Sequence, residues 1–396
     1  FWPLNQNHTS LFVIAGEPLI CHTLEMLKAA GVKKVIIVQK TNKEIERGLK
    51  NFKFPNMAIE YAEQKNLSGT GNALLAAKKH LKGRFLVLNG DDLYEKEDIK
   101  RCLSKFPSLL VKEMKEASGF GVIKPKKNYV EKIIEKSPRP PSNLINMGVY
   151  FLDKSVFQEK LKKSKRGEYE IIDYINNSAP KTKIHFLKSR NWYPLSFVWD
   201  LFYINERLLE NIKTKIKGKI EKNCHIKGFI VVGEGTTIKS GAYIEGPVYI
   251  GKNCRLGPNC FLRGPVSIGS GCFIGQAVEI KNSIVGNNTS IPHLSYIGDS
   301  IIGDNCNLGA GTVAANLRFN RKTIKSAVKE ELIDTKRQKF GCVLGDNVQT
   351  GINVSLMPGV LIGANAIIGP HSIVFENIKD NAVFHTKFQK EVEKKD

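Results

Sequence analysis

The sequence predicts two domains of different architecture: an α/β domain with a parallel sheet and, behind it, a left-handed parallel β-helix. Three observations support this prediction. Helical and strand patterns alternate over about the first 200 residues, aliphatic residues then recur at every sixth position, and the change between the two patterns falls near residue 222. A chain of 396 residues is long enough for two domains that each bury a core.

The first 200 residues alternate helices with strands. The segment PLICHTLEMLKAAG, which begins at Pro18, has apolar residues at helical spacing, and the following KKVIIVQ is typical of a short buried strand. The pattern repeats with AIEYAEQ as a strand, GNALLAAKKHL as a helix, and RFLVLNGDD as a strand that ends at Asp91 and Asp92. Such alternation indicates a parallel sheet, whose ligands bind at the carboxyl ends of the strands. Asp91 is therefore a candidate ligand-binding residue.

The remainder of the chain has a period of six residues. Ten aliphatic residues occupy successive sixth positions without a gap: Ile226, Val232, Ile238, Ile244, Ile250, Leu256, Leu262, Ile268, Ile274 and Ile280. A second series, in which Thr350 is the one non-aliphatic member, contains Leu344, Leu356, Ile362, Ile368 and Val374. This period is neither helical nor that of an ordinary strand, and it predicts a solenoid whose coils stack their inward aliphatic residues.

Six of the eight cysteines lie two residues before a repeat position: Cys224, Cys254, Cys260, Cys272, Cys306 and Cys342. Because side chains alternate along a strand, these cysteines should point inward as small core residues. We expect buried free thiols, and the alternative is a disulfide between Cys254 and Cys272, which lie one coil apart. The absence of a CxxC pair argues against zinc ribbons and thioredoxin-like chemistry.

Three further segments complete the predicted organisation. The amphipathic segment DLFYINERLLENIKTKI predicts a helical linker over residues 201–222, between a first domain at 1–200 and a β-helix at 223–375, with a C-terminal tail at 376–396. Residues 315–340 leave the six-residue register and are rich in Arg and Lys. They are either a solvated excursion or an extruded loop that reaches over a neighbouring subunit.

The formal charge of +22 is spread along the sequence and does not form basic arms. A nucleic-acid partner is therefore not expected. The charge fits a Lys-rich solvated surface, and it also fits attraction toward phosphorylated substrates such as a nucleoside triphosphate, a sugar phosphate and coenzyme A. No apolar run is long enough to cross a bilayer and no secretory signal opens the sequence, so a cytoplasmic protein without a membrane partner is expected.

The hexads of the form I-G-x-x-x-x resemble the hexapeptide acyltransferases. The stretch IPHLSYIGDSIIGDNCNLGAGTVAANLR is similar to the acetyltransferase half of the bifunctional GlmU proteins, and closer still to their archaeal sugar-1-phosphate relatives. This resemblance covers essentially the whole chain. It implies that His293 is the general base that takes a proton from a sugar amine as the amine attacks the thioester of acetyl-CoA, a role suited to imidazole. The alternative is a purely structural histidine.

The same resemblance assigns further roles in the β-helix. The residues implied to position the acetyl donor and the amino sugar are Tyr296, Asn307 and Asn316. Those implied to hold the phosphate of an amino-sugar 1-phosphate, a dianion that needs paired charges, are Arg263, Lys281 and Lys322. An exposed cation is the alternative for Lys281 and Lys322. Ala310, in the GAGT turn, would let coenzyme A approach backbone amides, and a homotrimer through the β-helix is implied, with active sites between subunits.

In the first domain, QKNLSGTGNALLAA resembles the base-binding segment of Rossmann-like uridylyltransferases. It implies that Gln64 reads the pyrimidine of UTP or a UDP-sugar, while Gly69 and Thr70 supply close backbone contacts. The LVLNGDD segment places Asp91 where this family binds Mg²⁺, which suits a hard cation held by a carboxylate and substrate phosphates. The stretch EKSPRPPSNLINMGVYF resembles the sugar-binding segment, and the implied sugar-binding residues are Gly121, Glu135 and Asn146.

Three features of the first domain depart from this family. The family's glycine-rich phosphate loop would precede FWPL, whereas the sequence begins at Phe1. The family's catalytic lysine has no counterpart in NHTSLFVIAGEPLI, where Thr9 or Ser10 stands nearby, and Pro194 occupies the place of a second metal carboxylate. Phosphoryl transfer relies on positioned cations, so nucleotidyl transfer is either retained or degenerate.

The leading hypothesis is a bifunctional enzyme of UDP-N-acetylhexosamine synthesis. Its β-helix would acetylate an amino-sugar 1-phosphate from acetyl-CoA, and its first domain would couple the product to UTP. One alternative is a sugar-nucleotide pyrophosphorylase whose β-helix only oligomerises, which the combination of His293, Tyr296 and Asn307 argues against. The other is a non-catalytic nucleotide-sugar-binding scaffold, which the missing lysine and carboxylate support for the first domain only.

Overall fold

The computed structural model describes residues 1–158, 161–164, 167–329 and 331–387. The chain divides into two compact units: the α/β unit, Leu19–Pro194, and the β-helix unit, which combines Phe1–Pro18 with Leu195–Asp396. The predicted first domain, 1–200, therefore extends beyond this compact α/β unit at both ends. The first residues pack with the β-helix instead, where Trp2 donates a hydrogen bond from Nε1 to Oδ1 of Asp380 at 2.8 Å.

The described part of the α/β unit combines short helices with a six-stranded sheet. Its α-helices are Leu19–Ala29, Glu44–Leu49, Thr70–Ala77, Lys96–Leu103 and Ile171–Ser178. The sheet contains, in spatial order, Arg84–Val87, Leu144–Asp153, Ser108–Glu113, His185–Ser189, Tyr129–Glu135 and Gly121–Lys126. Two smaller sheets pair Lys34–Lys40 with Ala58–Gln64 and Leu93–Tyr94 with Trp192–Tyr193. The core packs Leu74 and Ile175 of two helices against Leu109 and Ile123 of the sheet.

The prediction of a parallel sheet is correct for only part of the α/β unit. Lys34–Lys40 and Ala58–Gln64 are parallel, as are Ser108–Glu113 and His185–Ser189. The long strand Leu144–Asp153, however, runs antiparallel to both of its main neighbours. The sheet is mixed because the three strands between Gly121 and Asp153 follow one another without intervening helices, whereas parallel neighbours need a crossover connection.

The β-helix has three faces of short parallel strands. Face 1 contains Lys215–Ile216, Ile230–Val232, Val248–Ile250, Val266–Ile268, Ile284–Val285, Ile301–Ile302, Cys342–Leu344 and Val360–Ile362. Face 2 contains Lys219–Ile220, Thr237–Ile238, Arg255–Leu256, Phe273–Gln276, Ser290–His293, Asn307–Leu308, Gln349–Thr350, Ile367–Ile368 and Val383–Phe384. Face 3 contains His225–Lys227, Tyr243–Glu245, Phe261–Arg263, Glu279–Lys281, Tyr296–Gly298, Val313–Ala314, Ser355–Leu356 and Ile373–Val374.

The β-helix extends beyond the predicted range of residues 223–375 at both ends. Its first strand, Lys215–Ile216, lies within the predicted linker, and its last, Val383–Phe384, lies within the predicted tail. The predicted linker helix over 201–222 is correspondingly shorter, Leu201–Leu209. The remainder of the predicted tail, residues 388–396, lies outside the described residues. No helix in the described ranges combines the length and the apolar character needed to span a membrane.

The coils stack in register, and before the excursion their length shortens by one residue. Tyr243 pairs with Phe261, one coil of 18 residues later, whereas Ile274 pairs with Ile291 only 17 residues later. The change arises at the corner between faces 3 and 1, where Ser267 pairs with Ile284. The six-residue series read from the sequence ends at Ile280 for this reason, since the following coil has one residue fewer at this corner.

The inward side chains form one continuous apolar core. Cys254, Cys260, Cys272, Cys306 and Cys342 are buried in it, Cys224 is partly buried, and all six are free thiols as expected. Burial raises the pKa of the Cys260, Cys306 and Cys342 thiols to about 12. These thiols are therefore protonated core groups.

The outward side of face 1 is covered by other parts of the same unit. Asn205, on helix Leu201–Leu209, accepts a 2.6 Å hydrogen bond from Ser267 on face 1. Phe340, at the end of the excursion, is fully buried between the rings of Trp199 and Phe202, with both ring centroids 6.0 Å away. The outward sides of faces 2 and 3, in contrast, carry partly exposed apolar residues such as Ile367 and Ile373.

The excursion over residues 315–340 contains an antiparallel hairpin, Lys325–Val328 with Glu331–Asp334. Ile324 is buried, and Ser326 donates a 2.8 Å hydrogen bond to the carbonyl of Gly359. The hairpin is thus packed on coils of its own chain, so it is not a purely solvated excursion. Phe319, at the start of the excursion, is fully exposed.

The stacked core predicts unequal effects for two neighbouring substitutions on the same coil. Ile238→Ala, at a fully buried position, should lower the free energy of unfolding of the β-helix by about 2–5 kcal/mol because it removes methyl groups from a packed column. Thr237→Ala, on the outward side, is the control and should change it by about 0.5 kcal/mol or less. Denaturant unfolding followed by circular dichroism measures both, and equal losses would contradict the inward direction of Ile238.

Candidate active site

His293 ends the strand Ser290–His293 on face 2, and its side chain is exposed. The backbone carbonyl of His293 accepts hydrogen bonds from the Ser295 hydroxyl at 2.8 Å and from the Gly311 amide at 3.3 Å. Gly311 belongs to the GAGT turn of the next coil, so this turn lies directly against the histidine. Ala310, in the same turn, is partly buried and is held by the Asn353 amide, which donates to the Ala310 carbonyl at 2.8 Å. The structure therefore brings His293 and Ala310 together.

Asn307 lies on the same face as His293. It begins the strand Asn307–Leu308 and pairs in register with Ser290, the first residue of the histidine strand. Its side chain is exposed. Asn307 is thus one coil above the strand that carries His293, with both side chains on the solvent side of face 2.

Tyr296, Asn316 and Lys281 meet at the corner between faces 3 and 1. The side-chain amide of Asn316 donates to the Tyr296 hydroxyl at 3.1 Å and to Oδ2 of Asp299 at 2.5 Å. Lys281 donates from Nζ to the same Oδ2 at 2.7 Å. Asn282 donates to the other carboxylate oxygen, Oδ1, at 2.6 Å. We call Lys281, Asn282, Tyr296, Asp299 and Asn316 the corner cluster.

Burial raises the pKa of the Tyr296 hydroxyl, and the negative charges of Asp299 and Glu279 raise it further against the opposing effect of the Asn316 amide. Tyr296 therefore remains a neutral phenol that can donate a hydrogen bond. Gly298 makes room for it, since a Cβ there would lie 2.4 Å from the Tyr296 hydroxyl and 2.7 Å from Nδ2 of Asn316.

Arg263 stands one coil below Lys281, in register with it on face 3. Its guanidinium donates to Oε1 of Glu279 at 2.9 Å, and this contact raises the pKa of Arg263. Two of the three cations predicted to bind the sugar phosphate, Arg263 and Lys281, are therefore paired with a carboxylate. Lys322 is exposed in the excursion, and within the described residues its side chain forms no hydrogen bond or ion pair with the corner cluster.

Two acidic residues of this site were not predicted from the sequence. Asp299 is the last residue of the H-x-x-Y-I-G-D motif and received no role, although it is 2 % exposed and accepts three side-chain hydrogen bonds. Glu279 pairs with Arg263 and stacks in register below Tyr296. The coil period could have identified Glu279, because it places Glu279 and Lys281 one coil below the motif.

In the α/β unit, Gln64 ends the strand Ala58–Gln64. Its side-chain amide donates to the Gly69 carbonyl at 3.1 Å and to Oδ1 of Asn72 at 3.2 Å. Gly69 has a φ of +95°, and a Cβ there would lie 2.5 Å from the Tyr169 carbonyl. The Thr70 hydroxyl accepts from the Ile171 amide at 3.1 Å. The structure thus groups Gln64, Gly69 and Thr70 in one turn.

The predicted sugar-binding residues lie on adjacent strands of the mixed sheet. Gly121 pairs directly with Glu135, and a Cβ at Gly121 would lie 2.6 Å from Oε2 of Glu135. Asn146 donates from Nδ2 to the Tyr150 hydroxyl at 2.6 Å, at a register shift in strand Leu144–Asp153. A Cβ at Gly148, inside this shift, would lie 2.8 Å from the Asn89 amide. The predicted sugar-binding segment therefore abuts the loop that carries Asp91.

The two aspartates of this loop differ in their surroundings. Asp92 is 5 % exposed, and its Oδ2 accepts from Asn89, Tyr94 and Trp192, each at 3.2 Å. Asp91 is more exposed. No group of three or more potential metal-ligating side chains occurs in the described part of the chain. Mg²⁺ is commonly held by one or two carboxylates together with substrate phosphates, and a single carboxylate at Asp91 fits that donor set.

Comparison with known proteins agrees with both units. Residues 1–210 match the Nucleotidyl transferase family, and residues 244–383 match the GMPPB C-terminal domain family. The chain is 40 % identical to the bifunctional protein GlmU of Methanocaldococcus jannaschii, over 97 % of this chain and 94 % of that protein. It is 43 % identical to the bifunctional protein GlmU of Methanococcus maripaludis strain C7, over 100 % and 96 %. It is 37 % identical to the bifunctional sugar-1-phosphate nucleotidylyltransferase/acetyltransferase of Sulfurisphaera tokodaii, over 95 % and 94 %.

Proposed function

The chain belongs to the family of bifunctional GlmU proteins, and on that premise we propose that it is an enzyme of UDP-N-acetylhexosamine synthesis. Its β-helix transfers the acetyl group of acetyl-CoA to an amino-sugar 1-phosphate. Its α/β unit couples the acetylated sugar phosphate to UTP and releases pyrophosphate. The observation that carries this proposal is the alignment with these relatives over nearly the full length of both chains. The corner cluster and the GAGT turn beside His293, on consecutive coils, support it.

In acetyl transfer, the sugar amine must be neutral before it can attack the thioester. The exposed imidazole of His293 accepts a proton from the amine as the amine nitrogen forms a bond to the acetyl carbon. The carbon–sulfur bond then breaks, and the leaving thiolate takes that proton from the imidazole and departs as the coenzyme A thiol. The GAGT turn packs against the backbone of His293, so Ala310 places coenzyme A beside the base. Asn307, on the next coil of the same face, orients the acetyl donor.

The corner cluster binds the acetyl acceptor. Tyr296 and Asn316 hydrogen-bond the amino sugar, and Lys281 with Arg263 attracts its phosphate. Their carboxylate partners, Asp299 and Glu279, fix the two cations in place without ligand. Lys322, on the exposed segment that follows Asn316, supplies a further positive charge to the phosphate.

In uridylyl transfer, an oxygen of the sugar 1-phosphate attacks the α-phosphorus of UTP and pyrophosphate leaves. Gln64 reads the uracil ring, while Gly69 and Thr70 allow the nucleotide to approach the backbone of their turn. Gly121, Glu135 and Asn146 hold the sugar. When bound, Mg²⁺ would neutralise charge on the phosphates, and Asp91 is the carboxylate that would hold it.

His293→Ala should lower kcat for acetyl transfer by about 10²- to 10⁴-fold and change KM for acetyl-CoA little, because a general base acts mainly in the chemical step. Release of coenzyme A thiol with glucosamine 1-phosphate as acceptor measures this. His225→Ala removes another exposed histidine of the β-helix and is the control. If the His293 variant keeps more than about a third of kcat, well short of the expected loss, the base lies elsewhere.

Gln64→Ala should weaken binding of UDP-N-acetylglucosamine in the presence of Mg²⁺ by about two- to tenfold, since one hydrogen bond to the base contributes about 0.5–1.5 kcal/mol. Calorimetry measures the dissociation constants. Lys65→Ala changes an exposed neighbour and serves as the control. No heat from the unaltered protein at millimolar ligand would refute nucleotide-sugar binding by this unit.

The protein should be a homotrimer through faces 2 and 3 of the β-helix. Face 1 is covered by the chain's own elements, whereas Ile367 on face 2 and Ile373 on face 3 are 45 % and 47 % exposed. Analytical ultracentrifugation at micromolar concentration should give three times the 44.2 kDa chain mass. Ile373→Glu should favour the monomer, because association would bury its charge. A monomeric unaltered protein would contradict the assembly.

A further inference from the structure

Asp299 occupies a tightened corner of the β-helix. It follows the strand Tyr296–Gly298 and has a φ of +48°, in the left-handed region. Its backbone amide donates to the Lys281 carbonyl at 2.8 Å on the coil below, and its carbonyl accepts from the Gly341 amide at 2.8 Å on the coil above. Gly341 is the residue at which the chain returns from the excursion. The backbone of Asp299 is therefore fixed from both sides, and this fixes the direction of its carboxylate.

The carboxylate joins three coils. Lys281 and Asn282 come from the coil below, and Asn316 begins the excursion on the coil above. With 2 % of its surface exposed, Asp299 is almost completely withdrawn from water. A buried carboxylate is tolerated only when it is paired and hydrogen-bonded, and these three donors meet that requirement.

The hydrogen-bond network settles the orientation of the Asn316 amide. A carboxylate oxygen can only accept hydrogen bonds, so the Asn316 atom 2.5 Å from Asp299 is the nitrogen. That nitrogen also donates to the Tyr296 hydroxyl, which commits both of its hydrogens to the protein. Two groups are then left to face a ligand: the side-chain oxygen of Asn316, which accepts, and the Tyr296 hydroxyl hydrogen, which donates.

We propose that Asp299 is a positioning residue for the acetyl acceptor. It orients Asn316 so that the side-chain oxygen accepts from a hydroxyl or amino hydrogen of an amino-sugar phosphate, and it holds Lys281 beside the same ligand. This inference rests on the proposed acetyltransferase function. It assigns acceptor recognition to Asn316 and Tyr296 acting as an acceptor–donor pair, with Asp299 acting through them.

The test is the substitution Asp299→Asn, which keeps the shape of the side chain and replaces one acceptor oxygen with a donor. The amide of Asn316 then loses its fixed orientation. KM for glucosamine 1-phosphate should rise about 10- to 100-fold, the range for losing a hydrogen bond to a charged group. KM for acetyl-CoA should change by no more than about twofold, because the substitution removes contacts to the amino-sugar phosphate and leaves the contacts to acetyl-CoA unchanged.

Two further variants separate positioning from stability. Asp304→Asn makes the same change at another corner, where the carboxylate accepts from the Asn287 amide of the adjacent coil at 2.6 Å. It should leave both KM values unchanged. The exchange variant Asp299→Asn with Asn316→Asp restores the bond with its direction reversed and should recover most of the acceptor KM. If Asp299→Asn behaves like Asp304→Asn, or raises both KM values equally, the positioning role is wrong.

Direct binding distinguishes this inference from the proposed function. If the unaltered protein does not acetylate glucosamine 1-phosphate, the proposed function fails. Calorimetry with glucosamine 1-phosphate alone then decides the role of Asp299: weaker binding by the Asp299→Asn variant supports it, and equal or absent binding in both proteins overturns it. If the variant does not fold by circular dichroism, Asp299→Glu takes its place: it keeps the charge and displaces the carboxylate from Asn316, with the same expected rise in the acceptor KM and dissociation constant.

Discussion

The β-helix depends on one constraint: each coil stacks in register on the coil before it. A residue on one strand therefore has a fixed neighbour on the next coil, which before the excursion lies 18 or 17 residues later, as Tyr243 has Phe261 and Ile274 has Ile291. Inward positions become columns of aliphatic residues and thiols that exclude water. Outward positions become columns as well, in which Arg263 stands below Lys281 and Glu279 below Tyr296. The positions of these candidate active-site residues are therefore set by the stacking of the core.

The corner between faces 3 and 1 is where this regular stacking is modified. The coil loses one residue there beside Asn282, Asp299 occupies a left-handed conformation one coil later, and the excursion leaves one coil after that. Three irregularities thus lie on top of one another. Their stacking brings Lys281, Asp299 and Asn316 within hydrogen-bonding distance, although Asn316 lies in a segment that departs from the repeat. A repeat without these changes would present a uniform outer surface.

The α/β unit builds its candidate site by a different route. Strand Leu144–Asp153 shifts register between Asn146 and Tyr150, and this shift lets Gly148 approach the loop that carries Asp91 and Asp92. The Asp92 carboxylate accepts hydrogen bonds from three side chains and so fixes the loop in place. Asp91 is the more exposed of the two carboxylates. Pro194 offers no second ligand. The site proposed for acetyl transfer therefore contains more charged side chains than the metal-binding part of the site proposed for uridylyl transfer.

Much of this architecture follows from the sequence alone. The six-residue period identified the β-helix, and local helical or strand patterns located Leu19–Ala29, Lys34–Lys40 and Ala58–Gln64 within one or two residues. The motif around His293 indicated the chemistry. The tertiary structure alone determined that Phe1–Pro18 packs with the β-helix, that the sheet is mixed, and that the excursion folds onto its own coils. It alone identified Asp299 as the partner of Lys281 and Asn316. Periodicity is a local property that a sequence displays directly, whereas the partner of a buried carboxylate depends on which coils stack at one corner, and one residue fewer in a coil changes every partner above it.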